Sequence, residues 1–362
     1  MNRAFWNGKR VLVTGHTGFK GGWLSVWLLN MGATVSGFAL EPLSQPSFFE
    51  LTGLERRMES TLGDIRRREG IASAMASFKP EVVFHLAAQP LVRRSYSDPI
   101  GTLETNTIGT ANVLEAVRAA GSVKAVVVVT SDKCYENPGT SVPLRESDAL
   151  GGHDPYSASK GCAEIVAACY RKSFLEDRGI ALATARAGNV IGGGDWSDER
   201  LIPDAVRALS ANQPLVIRNP ESIRPWQHVF EPLSGYLLLG QKLYQQGFEC
   251  AEAWNFGPFF ERGVPVREVV ETMFRLWNGG TWIHDQSQRV LHEARTLFLD
   301  GAKARARLGW KTILGLDESL ALTVDWYRAA LALPRNQDYC FQMSLSQLHG
   351  YENKLIKSLE SF

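Results

Sequence analysis

Along the first half of the chain, short unbroken runs of small and β-branched apolar residues alternate with longer stretches whose apolar positions recur at helical spacing. "KRVLVTG" (residues 9–15) is a β-rich run that ends in glycine. "FKGGWLSVWLLNMG" (19–32) repeats its apolar residues three and four apart before a glycine stop. The alternation predicts strands over 33–40, 81–88, 124–131 and 180–190, and helices over 69–80, 98–121 and 156–179. Strands that are apolar throughout are buried on both faces, which predicts a parallel sheet between two layers of helices. Right-handed crossovers then give a doubly wound α/β fold. After residue 190 the pattern loosens into glycine-, proline- and arginine-rich stretches such as "IGGGDWSDERLIPD" and "QPLVIRNPESIRPWQHVFEP", and an amphipathic segment "LDESLALTVDWYRAAL" follows near the end. We therefore divide the chain into residues 1–190, carrying the sheet, and a smaller lobe over 191–362, interleaved with it and returning some segments to the sheet.

Composition narrows the function classes. The 362 residues are 44% hydrophobic and 21% charged with a net charge of +1, which points to no general nucleic-acid or anionic-membrane partner. No apolar run approaches the roughly 18 residues of a membrane span, and no signal-peptide core precedes the first strand. Cys134, Cys162, Cys169, Cys250 and Cys340 are scattered, odd in number and without metal-ligand spacing. Neither a disulfide framework nor a metal site is expected, and a reducing cytoplasm suits the pattern.

The first strand runs into "VLVTGHTGFKGG", which places Gly15, Gly18 and Gly21 at a strand-to-helix turn. Glycines there allow a tight turn and close backbone approach to a diphosphate, while the helix N-terminus supplies amide donors. The spacing is G-x-x-G-x-x-G. Asp64 and Ile65 follow where a third strand should end, so the carboxylate could hold an adenine amino group or cap a helix. No acid occupies the expected end of the second strand, Ala39; Glu41 is the nearest, and no arginine stands there for a 2′-phosphate. That favours NAD over NADP. Further on, Tyr156 and Lys160 stand four apart on the first turns of a helix, sharing a face. An ammonium beside a phenol lowers the phenol's pKa, so Tyr156 is expected to take a proton near neutral pH. "VVVVTSDK" ends a buried strand in Ser131, Asp132 and Lys133; the acid and the lysine are either a plain ion pair or chemistry.

The glycine pattern, "HLAAQ" at the end of the fourth strand, Ser131 and "YSASK" together resemble the extended short-chain dehydrogenase/reductase family, with its Rossmann sheet. "RAGNVIGGGDW", "RLIPD", "IRPWQHV" and "HEARTLFLD" extend the resemblance over nearly the whole chain, and it is greatest to the sugar-nucleotide 4,6-dehydratases. "AAQPLVRRSY", "SDKCYEN" and "RPWQHV" favour CDP-glucose as substrate. The resemblance implies a bound NAD that is reduced and reoxidised within one turnover. It makes Tyr156 the base at the sugar 4-hydroxyl, with Ser131 bonded to that hydroxyl and Lys160 orienting the nicotinamide ribose. Asp132 becomes the acid at the C6 hydroxyl and Lys133 the base at C5; a lysine serves there only if largely neutral.

By position in the family, Thr17, Phe19, Lys20, Leu86, Ala87, Ala88, Gln89 and Thr105 join the glycines, Asp64 and Ile65 around the cofactor. Gln89, Tyr96, Asn189, Trp196, Arg200, Leu201, Arg218, Arg224 and His292 are expected around the nucleotide sugar, and Arg93 and Arg94 border the sugar pocket. Trp196 suits stacking or core packing equally, and a lone loop arginine such as Arg218 is more often solvated. The family implies a homodimer formed by helices 98–121 and 156–179, with tetramers left open, and a deoxysugar destined for a surface polysaccharide. Two other functions share Ser131, Tyr156 and Lys160: a nucleotide-sugar 4-epimerase, which needs no acid–base pair at 132 and 133, and a non-catalytic NAD sensor.

Overall fold

The computed structural model describes residues 2–137, 139–140, 142–258, 263–285, 297–333 and 336–360. Seven parallel strands form its central sheet: β1 (Arg10–Thr14), β2 (Thr34–Ala39), β3 (Glu59–Leu62), β4 (Val82–His85), β5 (Ala125–Val129), β6 (Ala181–Ala187) and β7 (Ala253–Phe256). Their spatial order is β7-β6-β5-β4-β1-β2-β3. The order reverses between β1 and β4, and the crevice at that point is where such sheets bind ligands.

The unbroken apolar runs explain why the sheet lies in the middle. Alternate side chains of one strand enter two separate cores. Val11, Val13, Val127 and Val129 pack on one face with Trp23, Trp27 and Phe230, while Leu12, Val126 and Val128 pack on the other with Val113, Val117 and Ala167.

The covering helices match the apolar periodicity, with informative departures. Helix α1 (Phe19–Asn30) follows β1, and α2 (Arg68–Phe78) precedes β4. The predicted helix over 98–121 begins at Pro99, where the Asp98 carboxylate caps the Gly101 amide at 2.9 Å. It then widens into a π turn over Glu104–Ile108 before α3 (Gly109–Ala119). Helix α4 (Pro155–Tyr170) is capped by Asp154 and also passes into a π turn, over Arg171–Leu175.

The second half supplies α5 (Leu201–Ser210), α6 (Phe230–Gln246), α7 (Val266–Trp277), α8 (Leu316–Ala332) and α9 (Gln337–Glu360). Its segment Ala253–Phe256 joins the sheet beside β6. Helix α9 closes over α1, with Trp27 Nε1 donating to Glu352 at 2.9 Å. Among the described residues no helix is long and apolar enough to cross a membrane, and no group of three His, Cys, Asp or Glu side chains could hold a metal ion.

Candidate active site

At the switch point the glycine turn and the end of β4 touch backbone to backbone. Gly15 has φ +79°, and a Cβ there would lie 2.7 Å from the Ala87 amide nitrogen; a Cβ on Gly21 would lie 2.1 Å from the Gly15 carbonyl. Both positions therefore exclude side chains. Thr17 Oγ1 donates to the Leu40 carbonyl at 2.9 Å and ties the turn to the end of β2, while the Ala87 amide donates to Thr14 Oγ1 at 3.2 Å. The amides that open α1 thus stand beside a close backbone approach that admits no side chain, the arrangement expected of a dinucleotide's diphosphate site. Ile65 is buried against Gly109. Asp64 lies two residues beyond β3, but its carboxylate is engaged by Arg66, through Nε at 2.8 Å and Nη2 at 2.6 Å, which holds its pKa below the usual value.

The strand tip answers why an acid and a lysine can stand side by side there. Asp132–Cys134 forms one 3₁₀ turn capped by Ser131, whose Oγ accepts from the Lys133 amide at 3.2 Å, so strand alternation no longer applies. Asp132 is 2% exposed. Its Oδ1 accepts from Ser131 Oγ at 2.9 Å and lies 3.6 Å from Lys133 Nζ. Its Oδ2 is buried without a hydrogen-bond partner. Gly188 sits beside that oxygen, and a Cβ there would come within 3.2 Å of it.

Tyr156 and Lys160 occupy the face of α4 turned to this tip, and the Tyr156 hydroxyl is near Ser131. The expectation of a lowered phenol pKa is corrected here. Burial first, then the Asp132 carboxylate, pushes it up to about 12, against the opposing influence of Ser131. Lys160 is buried, donates to the Val129 carbonyl at 3.4 Å, and is itself pushed down to about 8 by burial.

A cavity of about 510 Å³ opens over these groups. Ser131, Asp132, Lys133 and Tyr156 line it, together with Lys20, Arg93, Asn189, Arg200, Leu201, Arg218 and Arg224. Arg200 pairs with Asp195 at 2.9 Å, Arg224 is buried, and Asn189 Oδ1 is buried without a hydrogen-bond partner.

Three of the expected substrate contacts lie elsewhere. Trp196 sits in the core, edge-on to Tyr327 at 5.1 Å. Gln89 spends its amide on the β4–helix turn, bonding Leu91 and Thr102 at 2.6–3.0 Å. Tyr96 is 36% exposed on the short helix Val92–Ser97, outside the cavity lining. His292 lies outside the described residues.

Behind the tip is a buried network absent from the sequence reading. Glu164, one turn beyond Lys160, accepts from Thr130 and Thr184 and pairs with Arg186 at 2.8 Å. Arg186 also donates to the Tyr135 hydroxyl at 2.6 Å. Spacing gave no hint of it, because its members come from the segment after β5, from α4 and from β6. Asp195 was missed as well; its one signal was an acid beside a glycine run.

Comparison with known proteins follows this geometry. Residues 12–323 match the family model described as GDP-mannose 4,6 dehydratase. A CDP-glucose 4,6-dehydratase of Salmonella typhimurium is 52% identical over 335 residues, covering 91% of this chain and 93% of the relative. A UDP-glucose 4-epimerase of Mycolicibacterium smegmatis is 28% identical, covering 88% of this chain and 98% of the relative. Among solved structures, a dTDP-glucose 4,6-dehydratase from Streptomyces venezuelae with NAD bound superposes with a TM-score of 0.73 at 26% identity, over 88% of this chain and 97% of that one. A conserved-looking turn alone would not carry a family assignment, but a match across nine-tenths of the chain does, and the chain belongs to the GDP-mannose 4,6-dehydratase family of extended short-chain dehydrogenase/reductases.

Proposed function

We propose that the chain is a hydro-lyase that converts CDP-glucose to CDP-4-keto-6-deoxyglucose and water, with NAD as its resident cofactor. The observation that carries this reading is the turn that places Asp132 and Lys133 beside Ser131, within reach of Tyr156. An epimerase needs the last two alone, whereas loss of water across C5 and C6 needs an acid and a base as well. The 52% identity to a CDP-glucose 4,6-dehydratase supports both the reaction and the base. Where NAD is concerned, Gly15, Gly21 and the first turn of α1 suit its diphosphate, and Leu40–Pro46 after β2 offers no cation for a 2′-phosphate.

When bound, NAD supplies a hydride acceptor at the sugar C4 and returns the hydride to C6, so the turnover has no net redox. Ser131 holds the 4-hydroxyl, and Tyr156 takes its proton. It can take that proton only as the phenolate, a form that burial and the Asp132 carboxylate disfavour and that Ser131 and Arg200 favour. Lys160, anchored beneath it, orients the ribose. The 4-keto group then acidifies the C5 proton; with the proton of the Asp132–Lys133 pair on Asp132, the neutral Lys133 removes the C5 proton while Asp132 gives its own to the C6 hydroxyl and water leaves, which returns the pair to its charged form. Asn189, Arg200 and Arg224 supply the polar and cationic wall that a nucleoside diphosphate requires. Leu201 and Arg218 border the nucleotide.

The same reading places the enzyme in the cytoplasm, in deoxysugar supply for a surface polysaccharide such as a lipopolysaccharide O-antigen. It also makes the enzyme a homodimer. Ile100, Ile108, Ile165 and Phe174 support the dimer, being exposed apolar side chains on the two helices that would pair.

The test is mass spectrometry of the purified chain with CDP-glucose, dTDP-glucose, UDP-glucose and GDP-mannose, with and without added NAD. Loss of one water from CDP-glucose, slowed about 100-fold or more in Asp132→Asn, is the expected result. Loss of water from another nucleotide sugar instead removes the cytidine assignment, and a product of unchanged mass makes the chain an epimerase.

A further inference from the structure

Asp195 lies in the loop that leads from the glycine run into α5. It lines the catalytic cavity, yet it is only 4% exposed. Its two carboxylate oxygens have different partners. Oδ1 accepts from the Ser197 amide at 3.1 Å and closes a tight turn. Oδ2 accepts from Arg200 Nη1 at 2.9 Å. Arg200 is the residue that opens α5, and its side chain is 35% exposed on the cavity wall. Among the described residues Asp195 is its one hydrogen-bonding partner, so one guanidinium nitrogen is held and the other donors are left for the cavity. The loop itself is fixed from three sides. The Tyr327 hydroxyl, buried on α8, donates to the Asp195 carbonyl, and Trp23 Nε1 from α1 donates to the Gly193 carbonyl at 2.8 Å. Gly194 stands at φ +83° with Phe48 so close that a Cβ would lie 2.4 Å from its ring. With the backbone pinned, the Asp195 side chain sets where the Arg200 guanidinium lies.

The turn needs only Oδ1, which an asparagine supplies equally well. The second oxygen needs another account, because a buried carboxylate beside an anion site works against the anion. Arg200 offsets that cost. A long side chain loses rotamer freedom when it binds a ligand, and holding it beforehand removes the loss at the moment of binding. We propose that Asp195 is a positioning residue for the nucleotide sugar, holding Arg200 with its remaining donors turned into the cavity before the diphosphate arrives. The proposal rests on the nucleotide-sugar reading above, and it gives Asp195 itself no contact with substrate. The sign of its effect therefore depends on Arg200. With the arginine present, Asp195 favours the anion by aiming the guanidinium. With the arginine gone, the bare carboxylate can only oppose it.

The test is a double-mutant cycle on the full-length chain, read as the dissociation constant of CDP in calorimetric titration, for wild type, Asp195→Asn, Arg200→Met and the double variant. Asparagine keeps Oδ1 for the turn and presents an N–H to the guanidinium, so it removes the aim alone. In the otherwise unchanged chain Asp195→Asn should weaken CDP about tenfold, the worth of preorganising one long side chain. It should raise KM for the sugar nucleotide by a similar factor while kcat changes less than about twofold. In the Arg200→Met background the same substitution should leave CDP binding unchanged or tighten it. Equal weakening in both backgrounds overturns the proposal and makes Asp195 a direct ligand or a support of the fold, and so does a tightening in the otherwise unchanged chain. If Asp195→Asn does not fold by circular dichroism, Arg200→Lys decides the matter: a charge without the planar fork should also weaken CDP about tenfold, and an unchanged dissociation constant overturns the proposal. UDP, dTDP and GDP are titrated in parallel. Wild type that binds one of these and not CDP sinks the cytidine assignment alone, and the cycle is then run with that nucleotide. Wild type that binds none sinks this proposal together with the nucleotide-sugar reading.

Discussion

Replacing Glu164 with alanine should destabilise the protein by about 3–5 kcal/mol, the usual cost of removing one member of a buried ion pair. The magnitude follows from what the carboxylate touches. It pairs with Arg186 at 2.8 Å where both side chains are 3% exposed, and it accepts from Thr184 at 2.7 Å and from Thr130. Removal leaves a guanidinium buried without its counter-charge, and its Nε already lacks a partner. Two buried hydroxyls also lose an ionised acceptor, but such terms overlap within one network and are not added. The double variant Glu164→Leu with Arg186→Met takes out both charges, and should recover most of the loss. Urea unfolding followed by fluorescence and far-ultraviolet circular dichroism measures all three proteins, provided that the two signals coincide. A single variant that costs less than about 1 kcal/mol, or a double variant less stable than the single, would refute the claim that an uncompensated charge sets the penalty.

Two further perturbations test the cradle and the C-terminal closure. Gly15→Ala should abolish measurable NAD binding in a calorimetric titration, because the φ of +79° and the 2.7 Å approach to the Ala87 amide leave no room for a methyl group. Glu231 is fully buried on α6, where its carboxylate accepts from the Ile313 and Leu314 amides at 2.9 and 2.7 Å and from Tyr351 at 3.0 Å, and burial raises its pKa to about 7. The folded state therefore holds this proton more tightly than the unfolded chain, so stability contributed by the protonated acid is lost as pH rises from roughly 4.5 to 7. Over that interval Glu231→Gln should gain roughly 3 kcal/mol on wild type in urea unfolding, and a constant difference across it would show that Glu231 does not titrate in the folded protein.

Much of the sheet was legible because a strand buried on both faces has no polar alternative along its length. "KAVVVVTS" admits no other reading, and its alternate valines do divide between two cores. The π turns at Glu104–Ile108 and Arg171–Leu175 were not legible, since an added residue in a helical turn leaves the composition of the segment unchanged. The site divides along the same line. Groups that share a turn or a helix face, Ser131 with Asp132 and Lys133 or Tyr156 with Lys160, could be assembled from spacing, and the structure brings all of them but the buried Lys160 to the lining of one cavity. Groups whose meaning depends on what lies across a gap could not. Trp196 looks the same in the sequence whether it faces a base or Tyr327. Tyr156 shows the limit most clearly. Its lysine neighbour predicts a lowered pKa, yet the phenol is raised, because burial beside the Asp132 carboxylate outweighs an ammonium that donates to the Val129 carbonyl. Helical spacing says which side chains share a face; only the packed interior says which of their charges remain solvated.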